Sequence, residues 1–479
     1  MSPVTRWLLV SVLLVAAALA GVFYVRAGHT AAASGFAQST DEAPSSEVAS
    51  LDVNGVFGPQ MVDRQLLGLA YRQVERVYYK PVEPALLVDG ERRGLELYLK
   101  EALKAKHVAI VPALPHPQTD GNAAADVHAI DGQLAYAEDH YARYLGKSAG
   151  DQLTQAALIG MLASLHDPYT VYLPPDQIRA LNEQLNGGDF GGIGVFIYQL
   201  KDGEIVVQPI EGLPAARAGM HGDEVVQTVD GQPVRGLALD HVERMIRGPQ
   251  GTVVTITTHP YKKTAEREYR ITREIIHVPT VHAKLENGYE YIRLTDFGET
   301  SAAEVRKALL DGKAHGAKAT ILDLRDNGGG LLSAAVDISS LFIPKGPIVT
   351  EIDRYGNREV QDATGNVIPG VEPVVVLVNG FTASASEITA GALQDYKLAT
   401  LIGTKTFGKG VVQGIFSMPN GGALKITTQR YVTPAGRDIQ HKGIEPDVVV
   451  PQSADLSYID TPKDKQLAAA KAFLSRKTR

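Results

Sequence analysis

Apolar residues change their spacing several times along this chain, and each change marks an element. An uncharged run, Trp7 to Val25 (WLLVSVLLVAAALAGVFYV), comes first. It has no polar face and is about long enough to cross a hydrocarbon core as a helix. Residues 29–60 lose all apolar period and become rich in Ala, Ser, Gly and acidic groups, the composition of a flexible stalk. From Met61 a helical period sets in: Leu67, Ala70, Val74 and Val77 share a face, and Pro81 ends it. A second helical run, Leu153–Leu165, closes at His166-Asp167-Pro168, and a shorter helix-like stretch lies near Leu134–Leu145. The pattern predicts a mainly helical domain over 61–186, interrupted by an irregular insertion at 107–150.

At Gly187–Gly194 (GGDFGGIG) the helical period breaks. Short strand-like runs follow at Val195–Leu200, Glu204–Pro209, Glu224–Val229 and Thr252–Thr257, several separated by turn signals such as Asp202-Gly203 and Asp230-Gly231. One helix is expected between Asp240 and Arg247, with Asp240 as its N-cap. Residues 187–278 therefore read as a compact, mostly stranded unit. Beyond Pro279 strands (Tyr291–Leu294, Ala319–Leu324, Val374–Val378) alternate with helices (Ser301–Leu310, Asp337–Phe342, Glu387–Leu393). That alternation predicts an α/β layered core over 279–454, with a helical tail over 455–479.

Charge and composition narrow the picture. Arg6 and the amino terminus precede the apolar run, and Asp41, Glu42 and Glu47 follow it, an asymmetry that places the body outside the cytoplasm. Ala18-Leu19-Ala20 looks like a signal-peptide cleavage site, so residues 1–28 read either as a membrane anchor or as a signal segment. The run continues past that site to Val25, which favours the anchor, and both readings export the body to a periplasmic or other extracytoplasmic space. The chain has no cysteine, which excludes disulfides, thiolate nucleophiles and Cys-ligated zinc. A net charge of −7 gives no nucleic-acid surface. The histidines at 107, 116, 128, 140 and 166 lack HExxH-type spacing, so no metal and no cofactor is expected.

Ser384 is the candidate nucleophile. It follows the apolar strand Val374–Val378 and precedes a helix, where unpaired amides favour developing negative charge. Ser384-Ala385-Ser386-Glu387 also fits a capping box, a purely structural device. No GxSxG elbow surrounds Ser384, and no histidine lies within 50 residues of it along the chain. A histidine folded nearby, His441 or His277 among them, would still give a Ser/His hydrolase. The other route is Lys409, in Thr406-Phe407-Gly408-Lys409-Gly410-Val411-Val412-Gln413. A desolvated lysine loses its proton readily and can accept that of a serine. In a strand, Lys409, Val411 and Gln413 would share a face, letting the Gln413 amide orient the amine. An exposed lysine in a glycine hairpin is the plainer alternative. Gly403–Lys409 also matches seven positions of the phosphate loop GxxxxGK[ST], but Gly410 stands where its hydroxyl should be. The run Asp323–Gly330 (DLRDNGGG) ends another strand with three glycines, which could turn amides into a site or could be only a flexible turn.

Taken in order, these stretches resemble the carboxyl-terminal processing proteases, tail-specific peptidases with a Ser/Lys dyad and an embedded PDZ domain. The matching segments are HDPYTVYLPP (166–175), FGGIGV (190–195), AARAGMHGDEVVQTVDGQPV (215–234), RGPQGT (247–252) and YIRLTDF (291–297). LDLRDNGGGLL (322–332), VNGFTASASEITAGALQDY (378–396), GTKTFGKGVVQ (403–413) and YVTPAGRDIQHKGIEPDVVV (431–450) complete them. The resemblance implies Ser384 as nucleophile, Lys409 as general base and Gln413 as its positioner. It implies an oxyanion hole from the Ala385 amide and one of the Gly329/Gly330 amides, with Gly330 preferred, and a supporting role for Asp395. Gly192-Ile193-Gly194-Val195 looks like a PDZ carboxylate-binding loop, which would capture a polypeptide C-terminus by strand addition. A crotonase-like core is the fold implied for the protease part. The implied partners are polypeptides with free C-termini and the membrane, with homo-oligomer and adaptor contacts left open. A non-catalytic, membrane-tethered PDZ adaptor is the alternative of a different class. The chain departs from the family in its longer 107–150 region and at Met220-His221-Gly222-Asp223, one residue shorter than the usual Leu-x-x-Gly-Asp.

Overall fold

The computed structural model describes residues 22–24, 59–116, 119, 121–185, 190–200, 202–261, 265–451 and 458–478. The chain divides into two compact units, Asn182–Thr280 with Gly298–Thr300, and the remainder.

The larger unit holds two sheets. In the first, the strands run in the order Val281–Glu286, Tyr289–Leu294, Thr320–Asp323, Val374–Val378, Ala399–Gly403, Val448–Val449. The first pair is antiparallel and every later pair parallel. Parallel neighbours need crossovers, supplied by the helices Ser301–Ala314, Leu332–Ser340 and Ala385–Asp395. Val374–Val378 is buried at all five positions, which explains an uninterrupted VVVLV in place of an alternating pattern. This topology delivers two neighbouring parallel strands, Thr320–Asp323 and Val374–Val378, to one sheet edge. The triple glycine leaves from the first and the Ser384 segment from the second, as sites at strand C-termini do.

The second sheet is antiparallel through Val411–Ser417, Ala423–Val432, Pro347–Ile352 and Arg358–Asp362, and Val171–Leu173 pairs with Ala423–Lys425. Four helices, Pro59–Val77, Pro84–Ala105, Ala123–Leu145 and Ala149–Ala163, share one apolar core with it: Leu67, Tyr71, Leu99 and Leu158 are clustered with Met418, Leu424 and Ile426. The expectation of a separate helical domain over 61–186 is therefore corrected: the helices' apolar faces and the sheet form one core within the larger unit. The 107–150 region is not irregular throughout either. Its second half forms the 23-residue helix Ala123–Leu145, capped by the Asn122 side chain, with Ile130, Leu134, Ala137, Tyr141 and Leu145 buried at helical spacing.

Of the expected membrane segment Trp7–Val25, only Val22–Tyr24 is described, as a short strand parallel to Val412–Gly414 and not as helix. No helix among the described residues is long and apolar enough to cross a membrane. At the other end, the helix Lys465–Lys477 is capped by Asp464 and packs Leu467, Ala470 and Leu474 on Tyr291 and Ile321 of the first sheet.

The smaller unit is an antiparallel sheet in the order Val195–Gln199, Ile205–Pro209, Glu224–Val229, Val253–Pro260, Arg267–Thr272. The sequence pattern predicts no strand over Arg267–Thr272, although Tyr269 and Ile271 alternate inward within it. The helix Leu239–Ile246 closes the core with Val242 among Val207, Val226, Val254 and Ile271. Ala238, and not Asp240, occupies its N-cap, because the helix begins one residue before Asp240.

Candidate active site

Ser384 sits at the N-cap of the helix Ala385–Asp395 with φ 61° and ψ −118°. A serine at positive φ costs on the order of 1–3 kcal/mol and survives only where its surroundings over-determine it. Here they do. Asn327 accepts from the Ala383 amide (3.1 Å) and the Ser386 hydroxyl (3.0 Å) through its carbonyl, and from the Gly329 amide (2.9 Å) through its side chain. Its own amide group donates to Leu294 O (2.8 Å), so one buried asparagine joins three strand ends.

Two further groups tie Ser384 to Lys409. The Glu387 carboxylate accepts from the backbone amides of Ser384 (3.0 Å), Gly408 (2.8 Å) and Lys409 (2.9 Å), and from the Thr406 hydroxyl (2.5 Å). The capping-box pattern thus records half of what this side chain does, since its reach to Gly408 and Lys409 spans two strands. Burial pushes the Glu387 carboxyl up, and the four donors pull the other way. Each oxygen already accepts two hydrogen bonds, an arrangement made for the ionised form. From the opposite side the Tyr431 hydroxyl is shared between Lys409 O (2.6 Å) and Ser384 O (3.2 Å).

The Lys409 side chain is fully buried, and its Nζ lies 4.4 Å from the centre of the Tyr169 ring. Burial pushes its amine well below the ordinary lysine value, the nearby Lys425 pushes the same way, and Asp167 and Glu387 oppose them. The surface-lysine alternative is therefore excluded. The phosphate-loop match is excluded too, because the strand Val411–Ser417, and no helix, follows Lys409. Gln413 is also buried, but neither its amide oxygen nor its nitrogen has a hydrogen-bond partner among the described residues. The bond expected from that amide to the amine is thus not formed. The strand begins only at Val411, so its alternation does not reach back to Lys409, and a bulge interrupts the register between Val412 and Gln413. His441 comes near only through its backbone, donating to Gly408 O (2.8 Å), while its imidazole is exposed beside Gln440.

Gly329 and Gly330 both adopt positive φ, 107° and 145°. A Cβ on Gly329 would stand 2.8 Å from Ser384 Cβ and 2.9 Å from the Ala385 nitrogen, so glycine is what lets this turn touch the nucleophile. The Gly329 amide is taken by Asn327, whereas no described residue accepts from that of Gly330. The Ala385 amide is the first of its helix and has no partner within it. Asp395 stands at the far end of that helix, where it holds the Ala435 amide (2.9 Å) and Arg437. From sequence Glu387 has only a capping role and Asp167 only a place in a turn, and Tyr431, Tyr169 and Lys425 have none; HDPYTVYLPP, TASASE and YVTPAGR contain four of the five, and Lys425 lies outside every motif.

In the smaller unit, Gly192 ends a two-stranded ribbon, paired with Glu274, and Gly194 (φ 71°) precedes the edge strand Val195–Gln199. The carbonyls of Ile193 and Gly194 accept from Ala215 (2.8 Å) and Ile210 (3.0 Å), while no described residue accepts from their amides. The helix Leu239–Ile246 packs beside this strand, and Val195 and Ile197 lie against the unit's apolar core.

Comparison with known proteins adds a family. A profile of peptidase family S41 matches residues 288–450. A "Probable CtpA-like serine protease" of Staphylococcus aureus is 38% identical over 326 residues, 68% of this chain. The match spans 63% of that relative's length, less than two thirds. A "Carboxy-terminal-processing protease" of Bartonella bacilliformis is 38% identical over 312 residues, covering 64% of this chain and 71% of the relative. Among solved structures, a photosystem II D1 C-terminal processing protease is 29% identical with a TM-score of 0.44, covering 81% of this chain and 93% of that one.

Proposed function

Since the chain belongs to peptidase family S41, we propose that it is a serine endopeptidase that cleaves polypeptides near their C-termini with a Ser384/Lys409 dyad. The observation that carries this reading is the joint between the two residues. Glu387 and Tyr431 hold a strained, buried serine and a fully buried lysine in one frame. A lysine so desolvated gives up its proton more readily than a free one and can take the Ser384 proton as Oγ attacks the scissile carbonyl. The ammonium that forms faces the Tyr169 ring, whose π-face favours a cation. Gln413, with both amide atoms unengaged, is the residue to accept from that ammonium as it develops. The tetrahedral oxyanion draws hydrogen bonds from the Ala385 and Gly330 amides. Lys409 then returns its proton to the leaving amine, and water resolves the acyl-enzyme by the same steps in reverse.

The smaller unit serves as a PDZ domain, in which the amides of Gly192–Val195 bind the substrate's terminal carboxylate and the peptide adds a strand beside Val195–Gln199. The body is exported and tethered to the membrane by the apolar N-terminal run. The test is cleavage of an unfolded polypeptide by the purified full chain beside Ser384→Ala and Lys409→Ala. Activity in either variant matching the parent rejects the dyad, and a profile abolished by a histidine replacement alone would favour the Ser/His reading.

A further inference from the structure

Lys425 is the second lysine of the site and has no step in the reaction above. It is 2% exposed and lies opposite Ile415 on one side and Val171 on the other. Val171 directly follows the 166–170 turn, whose Tyr169 ring lies against Lys409 Nζ, so one turn is flanked by Lys425 on the strand Ala423–Val432 and by Lys409 in the loop before Val411–Ser417. That turn carries a single carboxylate. Asp167 is fixed by the Tyr169 amide (3.0 Å) and the Thr170 hydroxyl (2.7 Å), and its charge helps to push the nearby Tyr78 hydroxyl up. Thr170 Oγ1 in turn accepts from the Thr427 amide (3.0 Å), which fastens the turn to the strand bearing Lys425. Ionisable groups beside Lys409 also include Glu387, held by four donors, Tyr431, held by two carbonyls, and Tyr169, while His166 opens the turn itself.

We propose that Lys425 is a positioning residue for the base: two enclosed amines compete for the one Asp167 carboxylate, and the proton Lys425 keeps is the one Lys409 does without. The inference rests on the Ser384/Lys409 reading and names what readies its base. Two ammonium groups sharing a water-poor site repel strongly, so the second charge is the one the site sheds. Consistently, burial pushes Lys425 down only to about 7 with Asp167 opposing, while Lys409 is pushed well below its ordinary value with Lys425 as a contributing cause. The two titrations belong to the pair.

The deciding measurement is the pH profile of kcat/KM for cleavage of an unfolded polypeptide. Lys425→Met removes a positive neighbour and leaves Asp167 to Lys409 alone. Both changes favour the Lys409 ammonium, so the alkaline rise should move up by roughly one unit or more. Lys425→Arg keeps the charge and should keep the parent limb. A folded, active Lys425→Met enzyme with an unmoved limb overturns the inference. If Lys425→Met fails to fold, lysine Cε NMR of full-length Ser384→Ala protein takes its place, with Lys425→Arg in that background assigning the pair. Two buried lysines losing protons in well-separated steps support the inference, and two titrating together in the ordinary lysine range overturn it. Failure of the dyad reading would look different: no Ser384-dependent cleavage at any pH, with the NMR titration still deciding on the pair.

Discussion

Around Ser384 buried side chains tie the backbone of several segments together, whereas around Gly194 the backbone is left open. The Glu387 carboxylate accepts four hydrogen bonds, and Asn327 joins three strand ends. In the smaller unit, the strand Val195–Gln199 pairs on one side only among the described residues, Phe196 is 65% exposed, and no described residue accepts from the Ile193 and Gly194 amides. The contrast separates two kinds of work. Bond cleavage needs groups fixed before substrate arrives, since reorganisation during the reaction would raise the barrier. Recognition of varied peptides needs backbone donors that any chain terminus can reach.

The comparison breaks outright if the committed region can lose a member cheaply. Ser384→Ala and Lys409→Ala should each lower kcat/KM by roughly 10³-fold or more with the denaturation midpoint preserved, because dyad members act as a unit. Replacing Glu387 tests the frame itself. Glu387→Gln turns one acceptor oxygen into an NH₂ facing N–H donors, so it should cost about 1–3 kcal/mol in urea unfolding and slow cleavage as well. A variant as stable as the parent would mean the four bonds are incidental.

In the open region the effect should be affinity alone. A free-acid peptide should bind full-length Ser384→Ala protein roughly ten- to a hundredfold tighter than its C-terminal amide, the worth of one charge-assisted contact. Gly194→Ala should abolish that difference, since its Cβ would meet Leu213 Cβ at 2.4 Å at a positive φ. Equal affinities in calorimetry would show that the unit reads side chains without holding the terminus.

Smaller effects sharpen the picture. The Lys409 amine titrates lower in the folded chain than in the unfolded one, so between the two values the unfolded chain binds more protons. Stability should therefore rise with pH across that window, by at most about 1.4 kcal/mol per unit, and be lost as pH falls toward the depressed value. Lys409→Met should flatten the slope of urea midpoint against pH, and an unchanged slope would place the titration elsewhere. Gln413→Ala should cost less than about tenfold in kcat, because it orients the ammonium and moves no proton. A loss matching that of Lys409→Ala would assign Gln413 a larger part.

What the sequence determined by itself is mostly local. Periodicity located the helix behind Ser384, the buried strand Val374–Val378 and the glycine turns, because spacing and φ preference act within a few residues. Motifs in order then named Ser384, Lys409 and the Gly329/Gly330 turn. It did not announce the helix Pro84–Ala105 or most of the second sheet, whose largely buried strands are written partly in polar letters: Ala423–Val432 carries Lys425, Thr427 and Thr428. Nor did it distinguish a capping glutamate from one that frames a site, since Glu387 meets Lys409 only when two strands bring positions 22 residues apart together. The same holds for the charge state of Lys409. A lysine becomes a base through the water it loses and the charges beside it, Lys425 and Asp167, and those neighbours come from distant stretches of chain that only the folded structure gathers.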